Sequence, residues 1–138
     1  DPFKEQYAMI KLAIGGTGMF ITILSLVVGG IGIANIMFVS VKERTKEIGI
    51  RKAIGATSRM ILFQFLMESM IICLFGGLVG LGLAYSGSLV INSFFPSEMP
   101  IGLALSALSL SMVVGIISGL APSYKAAKLD PIDALRYE

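Results

Sequence analysis

The sequence predicts an all-α integral membrane protein, with three transmembrane helices, a short amphipathic helix joining the first two and a short helix at the C-terminus. Three observations carry this. Of 138 residues, 55% are hydrophobic and 14% charged, whereas a soluble domain carries roughly 25% charged residues. With a mean hydropathy of +0.85, the apolar surplus exceeds what a soluble core of this length buries, and it has to face lipid. The charges are also clumped. Leu12–Val41, Ser69–Ser97 and Met99–Tyr124 carry none over 30, 29 and 26 residues, each more than the ~20 apolar residues that a helix needs to cross a ~30 Å hydrocarbon layer.

Along the chain, Phe3, Tyr7, Ile10 and Ile14 step by four, three and four. The first helix is therefore expected to begin outside the bilayer as a stalk (1–11) and to enter its span at 12–41. The link 42–59 pairs Glu43 with Lys46 and Glu47 with Arg51 at helical spacing, Glu first, which favours a helix. Ile50 and Ile54, with Ala53, give that helix a narrow apolar edge. Gly49 costs ~1 kcal/mol relative to Ala and predicts a bend. Gly55 reads as the residue after the helix end, and Thr57 or Ser58 as the next N-cap. The second span, 60–92, is too long for one upright crossing, so its first two turns are placed at the interface, with Glu68 near the headgroups. Residues 93–100, with Pro96 and Pro100, make a hairpin to the third span, 101–122. Ten Leu, Ile and Val between Ile101 and Ala121 favour insertion by on the order of 5 kcal/mol, and Pro122 marks the end of the span. In the tail, 123–138, Asp130, Pro131 and Asp133 open a short helix with Ala134, Leu135 and Tyr137. It reads either as a surface anchor or as a contact surface beside the link.

Lys and Arg counts set the expected orientation. The link has six, the tail three and the 93–100 hairpin none, which puts the link and C-terminal tail in the cytoplasm and the hairpin and N-terminus outside. An external N-terminus beginning Asp-Pro-Phe, without a signal peptide, implies an upstream portion with at least one further span and an extracytoplasmic domain.

Each span carries small residues at helical spacing. These are Gly15, Gly18, Thr22, Ser25, Gly29 and Gly32 in the first, Ser69, Cys73, Gly76, Gly80, Ala84 and Gly87 in the second, and Ser111, Gly115, Gly119 and Pro122 in the third. Gly76–Gly80 and Gly115–Gly119 are GxxxG pairs, which let backbones approach in lipid. They serve either packing within these three helices or a face for a partner; the stripe of the first span, close to a heptad, is the better candidate for a second copy. Catalytic and metal chemistry is disfavoured: there is no His, Cys73 is alone, and neither a disulfide nor a metal cluster follows from one cysteine. A net charge of +2 gives a nucleic-acid partner no support. Glu68 is the one charged residue near a span and lies close to its end, so a transport site between these helices is disfavoured too.

The run ERTKEIGIRKAIGAT (43–57), with QFLMES at 64–69, resembles the signature of FtsX-like permeases. The ending PSYKAAKLDPIDALRYE is similar to the C-termini of the MacB-type branch, ABC transporter permeases of bacteria and archaea. The resemblance runs from about Tyr7 to Glu138. It implies a multi-pass protein of the bacterial or archaeal cell (inner) membrane, holding the last three of four spans, the large extracytoplasmic domain lying before them. It implies an ABC ATP-binding subunit or domain and a second permease copy, identical or related, as partners, with an extracytoplasmic adaptor protein as a further candidate. Mechanotransmission is implied, in which ATP-driven movements reach the extracytoplasmic parts and drive efflux without substrate passing between the helices. By position, the ATPase-coupling residues are Glu43, Arg44, Glu47, Ile48, Gly49, Arg51, Lys52 and Gly55, and Glu68 matches a family glutamate on the following span. No G-x-x-x-x-G-K-[ST] occurs, so this chain is expected not to be an enzyme, with no cofactor of its own; ATP and Mg belong to the ATPase. The alternative is a regulatory scaffold, as cell-division FtsX proteins are, passing ATPase cycles to extracytoplasmic partners.

Overall fold

In the computed structural model residues 1–136 are described, and five helices account for nearly all of them. They are α1 (Pro2–Glu43), α2 (Thr45–Ala53), α3 (Ser58–Asn92), α4 (Ile101–Ala127) and α5 (Pro131–Arg136). Tyr137, expected in the tail helix, lies outside the described residues. α1, α3 and α4 are each long and apolar enough to cross a membrane, and the chain is an all-α, multi-pass membrane protein. Pro2 sits at the first turn of α1, where its missing N–H has no helical partner to lose. The 42 residues of α1 rise ~63 Å, about twice the ~30 Å of a hydrocarbon layer.

The short connections follow from local chemistry. Only Arg44 separates α1 from α2, and the buried Thr45 hydroxyl donates to the Val41 carbonyl at 2.9 Å, satisfying an acceptor at the end of α1. Gly55, at φ 116°, is the one described residue in the left-handed region. It lets the Gly55 N–H reach the Lys52 carbonyl and the Ala56 N–H reach the Arg51 carbonyl, at 3.1 and 3.0 Å, the paired bonds of a Schellman stop. Thr57 then caps α3, its hydroxyl accepting from the Met60 N–H at 3.3 Å.

Two helices run through residues that weaken a helix. α2 is continuous through Gly49. A Cβ on Gly49 would stand 2.6 Å from the Ala134 Cβ, so the glycine admits a neighbouring helix. α4, in turn, continues as a helix past Pro122, the expected end of the third span, to Ala127. A proline removes one backbone donor and crowds the preceding turn. Here Pro122, Ser123, Ala126 and Ala127 are all buried, and packing of that turn holds the helix together past the missing bond.

α4 lies between the other two long helices, packing on α3 along one face and on α1 along another. A Cβ on Gly115 would stand 2.9 Å from the Cys73 Cβ and Sγ, and one on Gly119 would collide with the Ser69 side chain. Higher up, Gly77 lies against Ser111, whose hydroxyl donates to the Cys73 carbonyl across the seam at 2.7 Å. Against α1 the contact is Gly30, where a Cβ would stand 2.8 Å from the Ser118 Oγ. A Cβ on Gly76 or Gly80 would meet nothing within 4 Å among the described residues, because the facing ridge of α4 falls on Gly77 instead. Below these seams Met37 and Val41 of α1, Ile48 of α2, Ile61 and Phe65 of α3 and Ala126 of α4 form one buried cluster. The base of the bundle is thus packed like a soluble core, while the first 25 residues of α1 touch little else and are largely exposed.

The α3–α4 seam makes a direct prediction. Gly119→Val places two methyl groups where Ser69 stands, an overpacking that costs about 1–3 kcal/mol. The thermal midpoint of the detergent-solubilised chain is expected to fall for Gly119→Val and to hold for Gly80→Val. Equal midpoints for the wild type and Gly119→Val would show that the two backbones are not in contact.

Candidate functional site

α2 and the base beneath it gather nearly all the polar side-chain contacts that join different helices. Thr45, Ile48, Gly49 and Lys52 fall on one face of α2, at i, i+3, i+4 and i+7, and turn toward the bundle. Lys46, Ile50, Ala53 and Ile54 fall on the other and are exposed.

Each inward group has a partner on a different element. Ile48 enters the buried cluster, and Gly49 receives Ala134 of α5. The Lys52 ammonium donates to the Ala127 carbonyl and, at 2.9 Å, to the Leu129 carbonyl. Those are acceptors that the C-terminus of α4 leaves without helical partners, and a cation there also meets the negative end of the helix dipole. Arg51 donates to the Gln64 side chain of α3 and pairs with Glu47 at 2.6 Å. Arg44 reaches Glu47 at 3.4 Å and Glu68 of α3 at 3.1 Å, its guanidinium 5.3 Å from the centre of the Phe65 ring. Partial burial works against the Arg44 charge, but the hydrogen bond and field of Glu47, with those of Glu68, outweigh it and raise its pKa. The guanidinium stays cationic at any pH the fold survives.

The sequence-predicted residues sort accordingly. Arg44, Glu47, Arg51 and Glu68 form one chain of ion pairs between α2 and α3. Ile48, Gly49 and Lys52 seat α2 against α4 and α5, and Gly55 ends it. Glu43 is exposed and forms no ion pair among the described residues; the expected Glu43–Lys46 pair gives way to Arg44 with Glu47. Gly115 and Gly119 lie further up the bundle in the α3–α4 seam, and Gly76 and Gly80 beside it. Sequence reasoning missed Thr45, Gln64 and Ala134. Gln64 carried a signal: it sits four residues before Glu68, so two polar groups share one face at the start of an apolar helix. Among the described residues no group of His, Cys, Asp and Glu could hold a metal ion. This arrangement fixes one helix to three others through ion pairs, hydrogen bonds and buried contacts.

Lys52 is the test of that attachment. Lys52→Met keeps the side-chain length and removes both bonds to α4. Hydrogen exchange is expected to rise over Tyr124–Arg136, with a stability loss of about 1–3 kcal/mol for the carbonyls left behind. Exchange over that stretch identical to wild type would mean that α2 and α4 are not joined there.

A family model described as FtsX-like permease C-terminal matches residues 19–131. The chain is 53% identical over 117 residues to the uncharacterized ABC transporter permease YknZ of Bacillus subtilis, covering 83% of this chain and 30% of that protein. It is 56% identical over 118 residues to the macrolide export ATP-binding/permease protein MacB of Neisseria gonorrhoeae, covering 83% and 18%. To the protein of that name from Syntrophobacter fumaroxidans it is 48% identical over 122 residues, covering 86% and 17%. The chain therefore spans less than a third of the length of these relatives. The stretch matched by the family model runs from within α1 through α2 and α3 to beyond the end of α4, and the chain belongs to the FtsX-like permease family.

Proposed function

We propose that this chain is the membrane-spanning output of a MacB-type ABC transporter, in which α2 receives the movement of an ATP-binding domain and passes it through the helices to the far side of the membrane. The observation that carries this reading is the two-sidedness of α2. Its inner face is bound to α3, α4 and α5. Its outer edge presents Ile50 and Ile54, 44% and 81% exposed, among charged residues. An apolar edge rimmed by charge suits a protein partner, and a helix fixed on its other side converts pressure on that edge into displacement of the bundle.

ATP and Mg are held by the ATP-binding domain, since this sequence contains no P-loop motif. The substrate moves outside these helices: the three apolar stretches hold no charge, and the grooves between the helices are lined almost wholly by apolar and small side chains. A second permease copy covers part of the long apolar surface of α1. The Lys and Arg bias supports an orientation with α2 and α5 in the cytoplasm and Ser93–Pro100 outside. Export is favoured over a purely regulatory role by the relatives, whose names carry macrolide export and ABC transporter permease.

Ile50→Asp with Ile54→Asp tests the coupling surface without touching the seat of α2. The variant is expected to insert and fold as wild type, to lose co-purification with the ATP-binding domain, and to uncouple ATP turnover from export. Wild-type co-purification and coupled export would remove α2 from the contact. For orientation, Ser97→Cys in a Cys73→Ala background is expected to react with an impermeant thiol reagent from outside intact cells. Protection of position 97, with labelling of Lys52→Cys, would invert the arrangement.

A further inference from the structure

We propose that the outer seam between α1 and α4 binds an anionic phospholipid of the leaflet on the α2 side, its acyl chain in the seam and its phosphate on a lysine cluster at the seam's end. A groove of about 380 Å³ runs along this seam on the side away from α3. Small residues hollow it out: Gly30 and Ala34 on α1, Ser118 and Ala121 on α4, with Ile31 and Ile117 as its walls. Its lining on α1 extends from Leu26 to Ala34, a rise of ~12 Å, which is within the ~15 Å depth of one leaflet's hydrocarbon.

The groove does not end in lipid-like surroundings. One turn beyond Ala34 on α1 stands Phe38, and one turn beyond Ala121 on α4 stands Lys125. The Lys125 ammonium lies 5.6 Å from the centre of the Phe38 ring, so it bridges the two helices that form the groove and stands at its mouth. Lys42 follows Phe38 by a further turn on the same face of α1. Lys128 follows Lys125 by three residues, its ammonium 4.5 Å from the Tyr124 ring centre. None of the three lysines is in an ion pair among the described residues. The nearest acids in sequence do not answer them. Glu43 is ~100° round α1 from Lys42, and the Asp130 carboxylate accepts from the Ile132 N–H at 2.9 Å.

These charges decide between occupants. A helix from a second copy would fill the apolar part, but at the level of the lysines a copy of α1 brings a Lys42 with each Glu43 and a copy of α4 brings Lys125 with no acid, so the excess positive charge stays. A neutral lipid leaves them equally unanswered. A phospholipid with net negative charge supplies both halves, hydrocarbon for the seam and phosphate oxygens for the ammonium groups.

The test uses the full chain, purified in mild detergent, incubated with equal phosphatidylglycerol and phosphatidylcholine, and read by native mass spectrometry for retained lipid. Wild type is expected to retain phosphatidylglycerol preferentially. Lys42→Gln with Lys125→Gln is expected to lower that preference on the order of tenfold, and Lys125→Gln alone, an exposed change that leaves the fold intact, to lower it in part. Ala121→Phe fills the groove and leaves every lysine in place, so it is expected to release the lipid while the thermal midpoint holds. Equal retention of both lipids by wild type overturns the proposal, as does an unchanged preference in the double lysine variant. Retention by a folded Ala121→Phe chain would leave only a basic surface and overturn the groove. Disulfide formation between copies through Ile117→Cys, in a Cys73→Ala background in native membranes, would give the seam to a second copy instead.

Discussion

Close backbone approach at the two faces of α4 is the constraint on which the rest of the bundle depends. In hydrocarbon, apolar helices gain nothing from leaving lipid for one another, and association rests on packing and the occasional interhelical hydrogen bond. α4 meets both conditions on the α3 side. Gly115 and Gly119 admit Cys73 and Ser69 at distances a side chain would forbid, and Ser111 donates across the seam to the Cys73 carbonyl. On the α1 side the approach is a single point, Gly30 against Ser118. α3 and α4 therefore behave as one body, with α1 attached to it less tightly until the buried cluster at the base is reached.

The base obeys different physics. Arg44, Glu47, Arg51, Glu68 and Lys52 are charged, half-buried or exposed, and joined to one another or to backbone carbonyls. Exposed ion pairs contribute little singly, but these bind, at three of its edges, a nine-residue helix that is too short to persist in isolation. The polar contacts fix where α2 sits; the burial of Ile48 with Phe65, Ile61, Met37, Val41 and Ala126 supplies the larger favourable term. Orientation and adhesion come from different residues. A side-chain change on one face of α2 can thus alter its seat without altering its outer edge, and the reverse.

Much of this was legible in the sequence, for reasons that differ by element. The spans could be read because a charge in hydrocarbon is costly, so the gaps between charges mark them directly. The cap at Thr57 and the stop at Gly55 could be read because each meets a local backbone requirement that few residue types satisfy. Gly49 could not. A glycine in a helix weakens it wherever it stands, and only the arrival of Ala134, 85 residues later in the chain, reveals that it opens space for α5. The partners of Lys52 were invisible in the same way: they are carbonyls of Ala127 at the end of α4 and of Leu129 after it, which no side-chain pattern encodes. Among the GxxxG pairs, Gly115 and Gly119 face α3, whereas Gly76 and Gly80 meet nothing among the described residues and Gly77 takes their place. Spacing identifies a face for close approach and leaves open which neighbour arrives there.

The unequal attachment of the helices gives the proposed coupling a direction. A push on the outer edge of α2 reaches α4 first, through Lys52 at its C-terminal carbonyls and Gly49 against α5. It reaches α3 through Arg44–Glu68 and Arg51–Gln64. Because α3 and α4 are clamped by their glycine seam, both move together. α1 is held at its lower end by Met37 and Val41 in the base and at Gly30 against α4, and little of the chain touches it above that point. At 1.5 Å per residue, Pro2 at its upper end stands ~42 Å beyond Gly30. A small tilt at the base is therefore multiplied along an arm longer than the ~30 Å hydrocarbon layer. Such a lever needs no polar path between the helices, and its output lies where the chain is least constrained by its own packing.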